Sequence, residues 1–164
     1  MEAVDKRARI LDAALHLFVE RGFHGTAVPL IAERAGVATG TIYRYFADKE
    51  ALLNELFRHW KLNLGQHLLL AVSGDLPWRR RFHLLWQALY RFSREHPDAL
   101  EFLELHLHGD ALDAESRALE QQMGAALFAF VAAAQAEDAM IDLPAPALVA
   151  RSEEHTSELQ SPCN

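Results

Sequence analysis

Apolar residues recur at intervals of three and four along most of the chain, which is the spacing of one face of an amphipathic helix. The first such stretch runs from Lys6 to Arg21, and Gly22 is predicted to end it; its apolar positions are Ile10, Ala13, Ala14, Leu17 and Phe18. Long alternation of apolar and polar residues, typical of strands, is absent, and so are internal repeats. The pattern therefore predicts an all-α fold.

Two short helices are predicted next. The first begins after Thr26, whose hydroxyl can cap free backbone N–H groups, and it ends at Gly36. Pro29 falls in its first turn, where no intrahelical hydrogen bond is lost. A tight turn then leads into a helix of about two turns over residues 39–46. Asp48 is expected to cap a longer fourth helix.

The second half of the chain also reads as helical. A break at residues 73–77 precedes a long helix predicted over residues 78–95, followed by a shorter one over residues 97–108. An Ala-rich helix comes after Gly109 and ends near Met140. The helix at 78–95 is predicted to bury one side, made of Phe82, Leu85, Trp86, Leu89 and Phe92.

Composition narrows the class of protein. Of the 164 residues, 51% are hydrophobic and 24% charged, which excludes a disordered polyelectrolyte. No apolar run approaches the roughly 20 residues that a membrane span needs, and the start lacks the pattern of a secretory signal. We therefore expect a cytoplasmic protein without membrane contact. The one cysteine, Cys163, provides neither a disulfide framework nor a thiol zinc site.

Charge is distributed unevenly. The net charge is −7, yet residues 1–64 hold nine Lys/Arg against eight Asp/Glu, whereas residues 65–164 hold seven against fifteen. Affinity for the phosphate backbone of DNA comes mainly from Lys and Arg, so the acidic second part is a poor candidate for contact with nucleic acid. The first part can bind DNA if its few basic groups cluster, with weak steering at long range.

Residues 26–46 have the layout of a helix-turn-helix, in which two short helices are joined by a turn and a third helix braces them. The second short helix is the candidate reader of the DNA major groove. It opens with Thr39, Gly40 and Thr41, which are small and polar. The backbone can therefore come close to DNA, and threonine can contact base edges.

The remaining residues of this helix divide by side. Ile42 and Phe46, four positions apart, are expected to face inward. Tyr43, Arg44 and Tyr45 would then lie outside, where hydroxyl and guanidinium groups can reach phosphates or guanine. The alternatives are that both tyrosines pack into the three-helix core and that the arginine is an ordinary solvated charge.

Four segments together resemble the N-terminal signature of the tetracycline-repressor (TetR) family; they are Phe23–Thr26, Ile31–Val37, Thr39–Phe46 and Asp48–Leu52. Members of that family are homodimeric regulators, mostly repressors, whose helical second domain binds a small molecule and releases the operator. The resemblance implies that this chain is a ligand-responsive regulator with the same two partners, double-stranded operator DNA and a small-molecule effector.

Taken position by position, the resemblance implies base contacts from residues 39–44 and phosphate contacts from four side chains, namely Thr26, Tyr43, Tyr45 and Lys49. Two residues depart from the family pattern. Pro29 lacks an N–H that could have met a phosphate, and Thr39 stands where many members carry lysine or arginine. Fewer direct contacts to guanine are therefore expected.

The implied layout is a DNA-binding domain at residues 4–64 and an incomplete helical regulatory domain at 65–150. The end of the chain breaks the helical pattern, and Arg151 through Ser161 match the in-frame translation of a widely used sequencing adapter. Residues 151–164 are accordingly interpreted as a non-native tail. Because dimerisation in the family rests largely on the last two helices, we expect the full-length protein to dimerise and this chain to be monomeric or misassociated.

An effector pocket in a helical bundle is usually apolar with a few polar groups. The candidate lining residues are Phe82, Trp86, Tyr90, Phe102, His106 and Phe128, for which a place in the core is the alternative. His106 and His108 point to different sides of a helix, so no metal site is expected. No catalytic motif indicates an enzyme or a cofactor. The remaining rival is a protein-interaction module derived from a helix-turn-helix that no longer binds DNA.

Overall fold

The computed structural model describes residues 2–72, 76–104 and 111–137, and every regular element in these ranges is an α-helix. The prediction of an all-α fold is confirmed. In chain order the helices are α1 (Glu2–Gly25), α2 (Val28–Ala35), α3 (Thr39–Tyr45), α4 (Lys49–Val72), α5 (Trp78–Glu95), α6 (Pro97–Glu104) and α7 (Ala114–Ala136). His106 and the tail predicted at 151–164 lie outside the described residues.

Helix α1 is interrupted at the residue that was predicted to end it. Gly22 has a φ of 69°, in the left-handed region, and the chain makes one further turn before it reaches Gly25. A side chain at such a φ would bring its Cβ too close to the following carbonyl oxygen, so glycine is the residue that this bend requires. Before the bend, Ile10, Ala14 and Phe18 are fully buried.

The first four helices share one apolar core. Ile31 of α2 and Ile42 of α3 are buried in the same cluster as the apolar residues of α1, and α4 contributes Leu52, Leu53 and Leu56. Asp48 caps α4 as predicted, because its Oδ1 accepts a hydrogen bond from the N–H of Ala51 at 2.7 Å. The helix-turn-helix of α2 and α3 is thus held between two longer helices.

Helix α4 also belongs to the second part of the chain, where it packs against α5, α6 and α7. The prediction for the buried side of α5 is only partly correct. Phe92 is buried and Leu85 and Leu89 are half-buried, but Phe82 and Trp86 are 41% and 40% exposed. The apolar residues of α5 extend over a wider part of the helix surface than α4 and α6 bury. None of the helices described is long and apolar enough to cross a membrane.

We expect Gly22→Ala to lower the free energy of unfolding by about 1–3 kcal/mol, because alanine would have to combine a positive φ with a ψ near 170°, a conformation that almost only glycine adopts. The matched control is Gly124→Ala within α7. At both positions an added Cβ meets nothing within 4 Å, so only the backbone conformation differs. The control should gain up to ~1 kcal/mol from helix propensity. Urea unfolding measures both variants, and shifts of the same sign would contradict this assignment of Gly22.

Candidate nucleic-acid interface

The turn between α2 and α3 is set by Gly36. This residue caps α2 in a left-handed conformation with a φ of 64°, and its N–H donates to the carbonyl of Glu33 at 3.1 Å. The N–H of Val37 then donates to the carbonyl of Ala32 at 3.0 Å, which satisfies the end of α2. Ala38 precedes α3 in an extended conformation. The chain therefore passes from α2 to α3 within three residues, and the two helices are in contact.

The two sides of α3 differ as predicted. Ile42 and Phe46 are buried, and the N–H of Phe46 closes the helix by donating to the carbonyl of Ile42 at 3.0 Å. On the opposite side Tyr43 is 53% exposed and Arg44 is exposed. Among the described residues Arg44 has no carboxylate partner. The outer surface of α3 therefore offers a phenol and a guanidinium to a ligand.

Tyr45 takes an intermediate position. Its ring is half-buried, packs against the core and lies 6.4 Å from the ring of Phe46, measured between centroids. The alternative of a tyrosine packed into the core thus applies in part to Tyr45 and not to Tyr43. At the start of α3, Thr39 and Thr41 are half-buried, whereas Gly40 is exposed with open space around it. Only part of α3 is consequently fully exposed and able to contact a ligand.

Thr26 does not cap α2, and that prediction is wrong. The N-cap is Ala27, which has no side-chain cap, while Thr26 is 1% exposed. Its hydroxyl lies 3.0 Å from the carbonyl oxygen of Leu17 and 2.8 Å from that of Gly22, so it serves the end of α1. The bend at Gly22 leaves carbonyls there that need donors from elsewhere. The side chain therefore points inward.

Lys49 has a structural role that the sequence did not indicate. Its Nζ donates to the carbonyl of Phe23 at 2.8 Å and to that of Thr26 at 3.0 Å, and it lies 4.1 Å from the centre of the Phe23 ring. These contacts fasten the start of α4 to the segment between α1 and α2. An ammonium group has three N–H donors, so one remains for a phosphate.

The structure does not bring together the five predicted effector-lining residues that it describes. Phe102 is buried and stacks on Phe18 of α1, with ring centroids 6.2 Å apart, so it belongs to the core. Tyr90 is 65% exposed on α5, and Phe128 is exposed on α7. Phe82 and Trp86 contact each other at the surface. Within the described ranges no three His, Cys, Asp or Glu side chains are placed to hold a metal ion.

A helix-turn-helix with an exposed polar ridge, followed by a helical second part, defines the class of helix-turn-helix regulators. Comparison with known families gives two matches: the family "Bacterial regulatory proteins, tetR family" over residues 10–56, and "Tetracyclin repressor-like, C-terminal domain" over residues 57–155. The chain belongs to the TetR family of transcriptional regulators. The junction between the two matches falls within α4.

Individual relatives agree with this assignment. The HTH-type transcriptional regulator YhgD of Bacillus subtilis is 32% identical over 94 residues, which are 57% of this chain and 49% of that protein. The fatty acid metabolism regulator protein of the same organism is 49% identical over 63 residues, 38% of this chain and 31% of that protein. These matches span at most about half of the relatives' length.

A solved structure extends the likeness over both parts of the chain. A protein from Shewanella sp. PV-4, described as a TetR family transcription regulator, superposes with a TM-score of 0.70 at 30% sequence identity, covering 86% of this chain and 76% of that one. The helical second part is therefore common to both proteins, together with the helix-turn-helix.

We expect Thr26→Val, which removes only the hydroxyl, to lower the free energy of unfolding by about 1–3 kcal/mol, because it leaves buried carbonyls without a donor. Operator affinity should stay close to that of the unsubstituted chain. Thr41→Val is the matched control on α3, for which the reverse is expected: little change in stability and altered sequence preference. Chemical unfolding and DNA titration separate the two, and a stable Thr26→Val variant with weakened DNA binding would contradict the inward role.

Proposed function

We propose that this TetR-family regulator is a ligand-responsive repressor that binds a near-palindromic operator as a homodimer. The observation that carries the proposal is the two-sided α3, in which buried Ile42 and Phe46 brace an outer surface formed by Tyr43 and Arg44. A helix of this kind enters the major groove with its first residues toward the bases. As operator DNA is in the cytoplasm of a bacterium, we place its action there.

We assign base contacts to residues 39–44 and phosphate contacts to Tyr43, Tyr45 and the third N–H of Lys49. Thr26 is left out of this set because its hydroxyl faces the carbonyls of α1. Tyr45 can contribute only its exposed edge, since the ring packs against the core. Arg44 is the side chain best suited to guanine, because its guanidinium is exposed and can bind the two acceptors of that base.

A second domain that responds to a small molecule completes the proposal. Effector binding there would tilt α4, which belongs to both parts, and would change the distance between the two recognition helices of the dimer. Such coupling is reciprocal, so operator DNA must weaken effector binding by the same factor. One relative is named a fatty acid metabolism regulator, but its matched 63 residues are too few to extend that effector class to this chain.

We expect Arg44→Ala to weaken binding to the gene's own upstream region by about 1–3 kcal/mol, or five- to 150-fold, and to relax specificity at one base position. Tyr43→Phe should weaken binding to all sequences by a smaller factor, because a phosphate contact carries no sequence information. Arg79→Ala on α5 is the matched control, since Arg79 is also an exposed arginine but lies outside the helix-turn-helix. Fluorescence anisotropy titrations against specific and scrambled duplexes measure all three.

If Arg44→Ala and Arg79→Ala behave alike, α3 is not the reading surface. If the unsubstituted chain shows no preference for the upstream duplex at any salt concentration, the alternative of an interaction module without DNA binding becomes the better account. Salt dependence adds a further check, because removal of a phosphate contact reduces the slope of log affinity against log salt by about 1.

We expect two protein chains on each operator duplex, because one helix-turn-helix makes too few contacts for tight binding and paired half-sites require a two-fold axis. Light scattering of the full-length protein, alone and with the duplex, measures this stoichiometry. A complex of one chain per duplex at nanomolar affinity would contradict the proposal. The helix spacing of such a dimer corresponds to half-sites about one helical turn of DNA apart.

A further inference from the structure

The contact between α4 and the start of α7 is mainly polar, whereas α4 meets α1 through an apolar core with one ion pair, between Glu55 and Arg7. Toward α1, α4 presents the buried apolar side chains of Leu52, Leu53 and Leu56. Toward α7 it presents Asn54 and Arg58, which contact residues 111–116 through hydrogen bonds and ion pairs. We name this contact the clasp; it consists of Asn54, Arg58 and residues 111–116.

Asn54 binds backbone across the clasp. It is 3% exposed, and its Nδ2 donates to the carbonyl of Ala111 at 2.9 Å while its Oδ1 accepts from the N–H of Asp113 at 2.8 Å. The same Nδ2 donates to the carbonyl of Glu50 at 2.8 Å. Two N–H donors beside a carbonyl acceptor are the groups of a carboxamide, which asparagine and, one methylene longer, glutamine carry. The pairing is therefore specific for a carboxamide.

Arg58 adds charge to the same contact. Its Nη1 lies 3.0 Å from Asp113 Oδ2 and donates to the hydroxyl of Ser116 at 3.0 Å. Asp113 also caps α7 by accepting from the N–H of Ser116 at 2.8 Å. That backbone hydrogen bond and the neighbouring Arg58 lower the pKa of the Asp113 carboxyl, because both stabilise its ionised form. One carboxylate therefore both caps α7 and binds it to α4.

The contact continues along both helices in a fixed register. Lys61 Nζ lies 2.8 Å from Glu120 Oε2, and a Cβ added at Gly65 would come within 3.1 Å of Met123 Cε. Hydrogen bonds depend on direction and distance, so α7 cannot slide along α4 without breaking them. A displacement of α7 must either break the clasp or move α4 with it.

We infer that Asn54 and Arg58 are the residues that transmit a displacement of α7 to α4, and through α4 to the recognition helix α3. The route is short, because α4 begins four residues after α3 ends and its first residue, Lys49, holds the carbonyls of Phe23 and Thr26. The inference rests on the proposed function, since it assumes that the state of the second domain affects operator binding.

Asn54→Asp tests the clasp with almost no change of shape. It replaces the donor toward the Glu50 and Ala111 carbonyls with a charged acceptor, which repels them. Gln66→Glu is the matched control: it makes the same change from amide to carboxylate on an exposed position of the same helix. The probe is a duplex of the gene's own upstream region, and the readout is hydrogen exchange of the amides at residues 113–117 with and without this duplex.

In the unsubstituted chain and in Gln66→Glu, the duplex should change exchange at residues 113–117 by about fivefold or more, the low end of usual coupling. In Asn54→Asp the duplex should still bind, because the helix-turn-helix keeps its own core, but the change in exchange should be lost. A variant that binds the duplex and retains the full change would overturn the inference. Failure of the unsubstituted chain to bind any duplex would instead contradict the proposed function.

A second variant covers the case in which Asn54→Asp does not fold. Asp113→Ser keeps an oxygen that can cap the N–H of Ser116 but removes the carboxylate that binds Arg58. We expect it to fold and to reduce the duplex-dependent change in exchange without abolishing it. If neither variant folds, the clasp is a requirement of folding and not a route of coupling, and the inference is wrong.

Discussion

A recognition helix of seven residues cannot be stable alone, since isolated helices of that length do not form in water. The geometry of α3 therefore depends on the burial of Ile42 and Phe46 between α1, α2 and α4. Those two anchors leave Tyr43 and Arg44 outside because residues one and two positions further along a helix point to a different side. Affinity for DNA and the stability of the first part consequently share one apolar core, and core substitutions in α1 or α4 should affect both.

The signature residues of the family do more than contact a ligand. Both Thr26 and Lys49 donate to carbonyl groups around the bend in α1: Thr26 to those of Leu17 and Gly22, and Lys49 to those of Phe23 and Thr26. Their donors hold the segment before α2 in place and thereby set the direction in which α2 and α3 leave α1. A phosphate contact from Lys49 would add to this role, since two of its three N–H donors are already used.

The sequence pattern predicted the order of the helices, an interruption at Gly22 (expected as the end of the helix, observed as a bend within it), the cap at Asp48 and the inward anchors of α3, because each of these depends on neighbours in the sequence. It could not predict what a hydroxyl or ammonium would bind across space, so the roles of Thr26 and Lys49 were missed. The prediction that Phe82 and Trp86 are buried failed for a related reason. An apolar stripe indicates which side of a helix can be buried, but how much of that side is buried depends on the helices that pack against it. Phe102, proposed for a pocket, instead fills the core beside Phe18.

The two sides of α4 have different mechanical properties. Apolar contacts such as those of Leu52 and Leu56 are non-directional, so a small rotation of α4 against α1 costs little as long as the surfaces stay in contact. The bonds of Asn54 are directional and buried, so the same rotation against residues 111–113 leaves polar groups unpaired. At its start α4 is also held by the directional hydrogen bonds of Lys49, so a movement of α4 with the second domain is passed to the segment before α2 while the apolar core stays packed. Directional contacts to both parts, joined by a non-directional core, suit a helix shared between a sensing part and a DNA-binding part.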